Sequence, residues 1–298
     1  MMYMRFGILP FDITLVAEKV ISILSFGKGE LSSIPFIEKV VSKGFKHIEL
    51  SLDVLQVFPM LLDERSLKWI SHKVKDRVFT VTAHLPLWGL EPSWINERIR
   101  KASIETIIDS IKTIENFLHP EYYVFHIAGK QVSEFTMLSY KYSFIKNALK
   151  IFSKIAIKSI FEIIDETDID KRRIACETIE FPYDLTLNVI NETGTSFLID
   201  TGHVLSGQCG EMNLYKMIEE NVDTIAGFHI HDGYIRKDVK GNVIWRDHLP
   251  LGEGDLDVIR FFNLLKEIGF SGPLVFELSL EDALKSLKYV KKVYGEIP

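Results

Sequence analysis

Cysteine is nearly missing from this sequence. Among 298 residues there are two, Cys176 and Cys209. That excludes a disulfide framework, so the fold must rest on its apolar core, and it points to a reducing compartment. Long apolar runs are missing too: Lys, Glu or Asp interrupts every stretch before the roughly 18 residues that a membrane span needs. The start of the chain, MMYMRFGILPFD, has no basic segment leading into a long apolar stretch and a small-residue cleavage site. No secretion signal is expected there, and the expected location is cytoplasmic. Dense basic blocks are absent, and the formal net charge is -6. Nucleic-acid binding built on many phosphate contacts is therefore not expected. The short cluster Lys171-Arg172-Arg173 reads as a solvated turn before a strand.

What is present is an ordinary globular composition, 47% hydrophobic and 26% charged, arranged in a repeating alternation. Short apolar runs read as strands near 5–10 (RFGILP), 46–51 (KHIELS), 78–84 (VFTVTAH), 122–127 (YYVFHI), 173–178 (RIACET), 196–200 (SFLID), 225–230 (IAGFHI) and 273–278 (PLVFEL). Stretches of helical period lie between them, among them 34–43, 94–117, 141–158, 212–220, 256–268 and 281–293. Gly44 and Gly269 stand just past two helix ends, where a left-handed cap is least costly. Asp255 reads as the N-cap of the helix that follows it. Eight strands with helices between them and no linker predict one (β/α)8 TIM barrel over 1–298, with reactive groups at the C-terminal ends of the strands. The stretches 11–33 and 159–172, the latter opening on the strand-like run SIFEII, are longer than barrel loops require and read as helical or irregular insertions. The long segment 233–254 reads as an active-site loop carrying Arg236, Trp245, Arg246, Asp247 and His248.

Six of the nine histidines, His84, His126, His203, His229, His231 and His248, fall on or just after apolar runs, and Glu177, Asp200 and Glu277 stand at strand ends as well. A lone histidine in such a place is more often held by a neighbouring carbonyl than by a metal. That plain reading suits His84 by itself, since Leu85-Pro86 after it is an ordinary strand stop. Six strands offering a metal-competent group at the same end instead make a divalent metal site the leading reading. Asp200 and His203 are three apart in IDTGH, where Gly202 permits a sharp bend. The plain alternative is a helix N-cap by Asp200 or Thr201. His229 and His231 share a face if their strand persists through both, with His231 assigned a supporting or substrate-facing role. His248 precedes Gly252-Glu253-Gly254, which is either a simple turn into a helix or a place where backbone amides receive an anion. Cys176 faces away from Glu177 as a small buried hydrophobe. Cys209, His47, His72 and His119 carry no functional signal.

In order, and across nearly the whole chain, AHLP, FHIAG, ACET, IDTGH, FHIHD, HLPLGEGDLD and VFEL resemble the xylose isomerase-like TIM-barrel superfamily, which includes endonuclease IV and many sugar isomerases and epimerases. IDTGH and HLPLGEGDLD are its most specific parts. Resemblance to endonuclease IV implies three zinc ions: one on His84, His126 and a bridging Glu177, a second on Glu177, Asp200, His229 and Glu277, and a third on His203 and His248. The third site departs from the pattern, which has an aspartate two residues before the last histidine. Arg246 stands there, with Asp247 beside it, so either Asp247 substitutes or Arg246 offers its charge to a substrate phosphate.

Resemblance to the sugar isomerases implies one ion, Mn or Mg, on Glu177, Asp200, His229 and Glu277. His84 and His126, a pair those isomerases commonly lack, tilt the expectation toward two or three zinc ions and hydrolysis of a small phosphorylated substrate. Glu177, Glu277, His203 and Arg246 would then be catalytic, and His231, Arg246 and His248 would bind substrate. The alternative is a sugar or sugar-phosphate isomerase or epimerase in which Glu177 and Glu277 exchange a proton and His84 and His126 donate to hydroxyls. A non-catalytic binding barrel is disfavoured, because buried unpaired ligands are costly to keep.

Overall fold

The apolar runs become strands buried on both faces, as a parallel sheet walled by helices requires. The computed structural model describes residues 4–9 and 32–295. Its strands are β1 (Arg5–Ile8), β2 (His47–Ser51), β3 (Thr80–His84), β4 (Tyr123–Phe125), β5 (Ile174–Glu177), β6 (Ser196–Asp200), β7 (Ile225–His229), β8 (Asp232–Lys237), β9 (Val243–Leu249) and β10 (Pro273–Phe276). Eight of them close into a parallel barrel in the order β1-β10-β7-β6-β5-β4-β3-β2, with β2 returning to β1. The expected (β/α)8 barrel is thus the observed one. β8 and β9 form a separate antiparallel hairpin after β7.

The helices form the outer ring by burying one apolar stripe each. The helix Glu97–Glu115 begins where the Asn96 side chain accepts from Arg98 N, and it buries Ile104, Ile107, Ile108, Ile111 and Ile114 at helical spacing. Each such isoleucine contributes roughly 1.5–3 kcal/mol in removal from water. Arg100, on the same helix, has no solvent exposure. Its guanidinium is satisfied by Glu97, Ser159 and Glu162, which ties this helix to Lys146–Thr167. Gly44 and Gly269 adopt φ of 98° and 67° just past their helices, as expected. Lys171–Arg173 is a short helical turn leading into β5. No helix among the described residues is long and apolar enough to cross a membrane.

Several expectations change. The stretch 11–33 lies outside the described residues except for its last two. The helix expected at 141–158 is in fact two helices: Lys130–Lys141 ends where the expected one begins, and Lys146–Thr167 runs on through SIFEII, so 159–172 holds no separate insertion. The segment 233–254 is a hairpin, because alternating side chains at 232–237 and 243–249 let it pair with itself. Asp257, not Asp255, caps the next helix by accepting from Arg260 N. Asp255 instead accepts from Arg236. His47 belongs to a barrel strand and is fully buried.

Candidate active site

Strand register brings the reactive groups together. His84, Glu177, Asp200 and His229 are the last residues of β3, β5, β6 and β7, while His126 and Glu277 follow the ends of β4 and β10 closely. Asp200 pairs directly with His229 across the β6–β7 ladder. Among the described residues three groups able to hold a metal ion result, the atoms of each lying within 4.8 Å of one another: His84, His126 and Glu177; Glu177, Asp200, His229 and Glu277; and His203, His231 and His248. Glu177 belongs to two of them. Its Oε2 is 2.8 Å from His126 Nε2 and 3.6 Å from His84 Nε2, and its Oε1 is 2.9 Å from His229 Nδ1. His229 Nδ1 is also 3.5 Å from Glu277 Oε1 and 3.8 Å from Asp200 Oδ2.

The ring tautomers follow from fixed acceptors on the far side of each imidazole. His84 Nδ1 donates to Leu85 O at 2.9 Å, leaving Nε2 toward Glu177. His203 Nδ1 donates to Thr178 O at 2.8 Å, leaving Nε2 toward Asp247, 3.7 Å away. Metal-binding histidines are held in this way, with the second nitrogen tied to a carbonyl or carboxylate. His231 differs. Its Nδ1 accepts from His248 N at 2.8 Å, so its proton sits on Nε2 and is donated to Asp200 Oδ2 at 2.8 Å. Both nitrogens are engaged, which makes His231 a support for Asp200 and His248. Asp247 completes the third cluster, 3.3 Å from His248 Nδ1.

Asp200 is the helix N-cap that was the plain alternative for it. Its Oδ1 caps the short helix Thr201–Leu205 by accepting from His203 N, while Oδ2 faces the cluster. The histidine of the hairpin, His248, holds φ at 50°, a left-handed conformation rare for a residue with a side chain. Its hydrogen bond to the buried His231 ring keeps it there. The turn Gly252–Gly254 does receive an anion, but an internal one: Asp232, fully buried, accepts from Gly233, Gly252 and Leu256 amides.

Buried carboxylates in this number need positive charge beside them. Burial alone would lower the His84 pKa, but its hydrogen bond and the charge of Glu177, with Glu277 and Glu49, raise it to about 9. Burial likewise opposes protonation of His248, and Asp247 and Glu277 outweigh it to give about 11. Glu177 shows the reverse, burial being overcome by His229 and His126 so that its pKa falls well below the usual carboxylate range. A divalent cation would take the place of these protons, and the mixed carboxylate and imidazole donors suit one. The cavity above the cluster has a volume of 530 Å³ and is lined by His84, Leu87, Trp88, Leu90, His126, His203, His248 and Glu277 among others.

Arg246 stays outside that lining. It lies on β9 and is exposed, whereas the next residue, Asp247, turns toward His203. Alternation along a strand sends neighbours to opposite faces. The sequence reading passed over two residues. Glu49 on β2 is fully buried and accepts from His229 Nε2 at 2.9 Å; an acidic residue in the middle of the run HIELS was the signal. Asp53 accepts from Leu87 N and Trp88 N, fixing the loop that carries Trp88. Cys176 is buried against Thr195, and burial pushes its thiol up to about 12.

A family model described as the xylose isomerase-like TIM barrel matches residues 37–293. The chain belongs to the xylose isomerase-like TIM-barrel family. An uncharacterized protein of Methanocaldococcus jannaschii is 26% identical over 286 residues, covering 92% of this chain and 90% of that protein. Among solved structures, a D-tagatose 3-epimerase-like protein superposes with a TM-score of 0.66 at 20% identity, covering 97% of this chain and 96% of its own. The 3-keto-D-glucoside 4-epimerase of E. coli gives 0.66 at 14% identity, with 97% and 99% covered. The D-psicose 3-epimerase of Clostridium cellulolyticum H10 gives 0.62 at 13%, again covering 97% and 99%. At such identities the likeness is one of fold. The xylose isomerase-like barrel places its strand ends here as a ring of histidines and carboxylates facing one cavity.

Proposed function

We propose that this chain is a divalent-metal-dependent isomerase or epimerase of a sugar or sugar-like substrate, with Glu177 and Glu277 as its acid–base pair. The observation that carries this is the cluster Glu177, Asp200, His229 and Glu277, in which two glutamates on β5 and after β10 approach one point beneath the cavity. That the solved structures sharing the fold are named as sugar epimerases supports it over phosphoester hydrolysis, the reading first favoured on the sequence.

An ion held by those four residues would supply charge that draws electron density from a carbonyl and a neighbouring hydroxyl, lowering the pKa of the intervening C–H. The proteins' own groups then handle the proton. One glutamate removes it from one face of the carbon, and the other returns a proton to the opposite face or to the adjacent carbon. His84 and His126, both lining the cavity, donate hydrogen bonds to hydroxyls. Trp88, which is 43% exposed, offers an apolar wall for the C–H face of a sugar ring.

Hydrolysis of a phosphoester remains a second reading because of a specific observation: His84, His126 and Glu177 form a second ligand group, and His203, Asp247 and His248 form a third. One experiment separates the two. Protein loaded in turn with Mn, Co and Zn is incubated with a panel of ketoses in D2O and, separately, with bis(p-nitrophenyl) phosphate, and bound metal is counted. Deuterium entering the ketose or its epimer, lost in Glu277→Gln, supports the proposal. Phosphodiester hydrolysis with two or three ions bound and no deuterium exchange would sink it.

A further inference from the structure

The inside of a (β/α)8 barrel is ordinarily filled by branched apolar side chains, yet here a file of polar groups on β1, β2 and β3 runs beneath the cluster. Arg5 Nη1 donates to Thr80 Oγ1 at 3.2 Å, and Thr80 Oγ1 lies 2.7 Å from His47 Nδ1. His47 Nε2 is 2.9 Å from Thr82 Oγ1, and Thr82 Oγ1 donates to Glu49 Oε2 at 2.8 Å. Glu49 Oε1 then meets His229 Nε2 at 2.9 Å. His47, Glu49, Thr82 and His229 have no exposure to solvent.

The donor directions follow from the chemistry of the end members. A guanidinium only donates, so Thr80 accepts from Arg5 and keeps its one hydroxyl proton. Thr82 gives its one hydroxyl proton to Glu49 and so accepts from His47 Nε2–H; burial and the nearby charge of Arg5 hold the His47 pKa well below its ordinary value, so the ring is neutral and its Nδ1 accepts from Thr80. Glu49, as a carboxylate, accepts at both oxygens and requires an N–H from His229 Nε2. Every donor in the file points at Glu49.

We propose that Glu49 is a positioning residue that holds His229 with its proton on Nε2 and its Nδ1 turned to Glu177, Asp200 and Glu277. This rests on the metal reading of that cluster, in which His229 binds through Nδ1. A buried carboxylate that serves only packing would affect folding and nothing else. One that fixes a ligand's tautomer affects metal affinity by about 10- to 100-fold.

The test uses Glu49→Gln, nearly identical in shape. The amide can satisfy Thr82 or His229 but not both in their native directions, and with its NH2 toward His229 it forces the ring proton onto Nδ1. Affinity for Mn and Zn ions, read by competition with a chelator, is expected to fall about 10- to 100-fold in folded Glu49→Gln, and less far in the same direction in Thr82→Val. In metal-free wild type, 15N-labelled on histidine and assigned with His229→Ala, the His229 Nε2–H is expected as a slowly exchanging signal that Glu49→Gln loses. Unchanged affinity together with a retained protected N–H in folded Glu49→Gln would overturn the proposal. Should that variant not fold, Thr82→Val decides, and unchanged affinity and exchange there overturn it. A wild type that binds no divalent ion would remove the metal reading, while the N–H signal would still decide the role of Glu49.

Discussion

Gly202, in the middle of IDTGH, provides the sharpest test of the site's architecture. It lies in the short helix Thr201–Leu205, where alanine would ordinarily be favoured by about 1 kcal/mol over glycine. A β-carbon at this position, however, would stand 2.0 Å from His231 Nδ1 and 2.1 Å from His231 Cε1. The ring cannot step aside cheaply. It is fully buried, bonded at one end to Asp200 Oδ2 and at the other to His248 N, and stacked on the His248 ring at a centroid distance of 4.1 Å. Overpacking of this kind costs about 1–3 kcal/mol. Losing the bond to the charged Asp200 carboxylate and the bond from His248 N adds about 2–4 kcal/mol at most. Against these the helix preference is small, so Gly202→Ala should destabilise by about 2–4 kcal/mol net. For a chain of this size that is a fall in Tm of roughly 3–6 °C. Thermal unfolding of Gly202→Ala, His231→Ala and the double variant forms the assay. With the ring removed, the added methyl has room, and Gly202→Ala should be neutral or stabilising in the His231→Ala background. Its cost in wild type should thus reappear as a coupling energy of about 3 kcal/mol. Equal destabilisation by Gly202→Ala with and without His231 would refute the assignment of that cost to the imidazole.

Asp232→Asn should destabilise by about 2–3 kcal/mol, because an amide nitrogen would then oppose one of the three backbone N–H groups that the carboxylate now receives; urea unfolding checks this, and a loss below about 0.5 kcal/mol would contradict it. The pH dependence has a defined sign. His84 rises from its ordinary value of 6.5 to about 9 on folding, so in metal-free protein its contribution is complete below pH 6.5 and is lost as pH climbs through about 9. Tm of chelator-treated protein should therefore fall over that interval, and a flat profile between pH 6.5 and about 9 would contradict the assignment. Glu277→Gln should lower the rate of proton exchange in a ketose substrate about 10²- to 10⁴-fold, measured by NMR in D2O. Asp247→Asn, farther from that pair, should leave the exchange within about tenfold of wild type while weakening any ion held by His203 and His248.

How much of this was readable in the chain depends on how local each cause is. Eight apolar runs separated by helical periods specify a (β/α)8 barrel, because each element is set by its own few residues. The barrel in turn requires that strand-terminal groups meet at one end. His84, His126, Glu177, Asp200, His229 and Glu277 were legible for that reason, their positions following from where strands stop. The hairpin at β8–β9 was less so, since its pairing depends on two segments finding each other across Asp238–Asn242. Arg246 and Asp247 could not be told apart by spacing alone. The strand's pleat sends one to solvent and the other to His203.

By itself, then, the sequence determined the architecture and the ring of histidines and carboxylates, because backbone periodicity and strand ends are local properties. Tertiary structure alone decided which nitrogen each histidine offers. That choice depends on the partner each ring finds: the adjacent carbonyl Leu85 O for His84, and for the others groups remote in the chain, Thr178 O accepting from His203, His248 N–H donating to His231, and for His229 the carboxylate of Glu49, distant by 180 residues in the chain and 2.9 Å in space. Proton placement in a buried cluster is a property of the whole hydrogen-bonded network, and for His203, His229 and His231 the neighbours in sequence do not contain it.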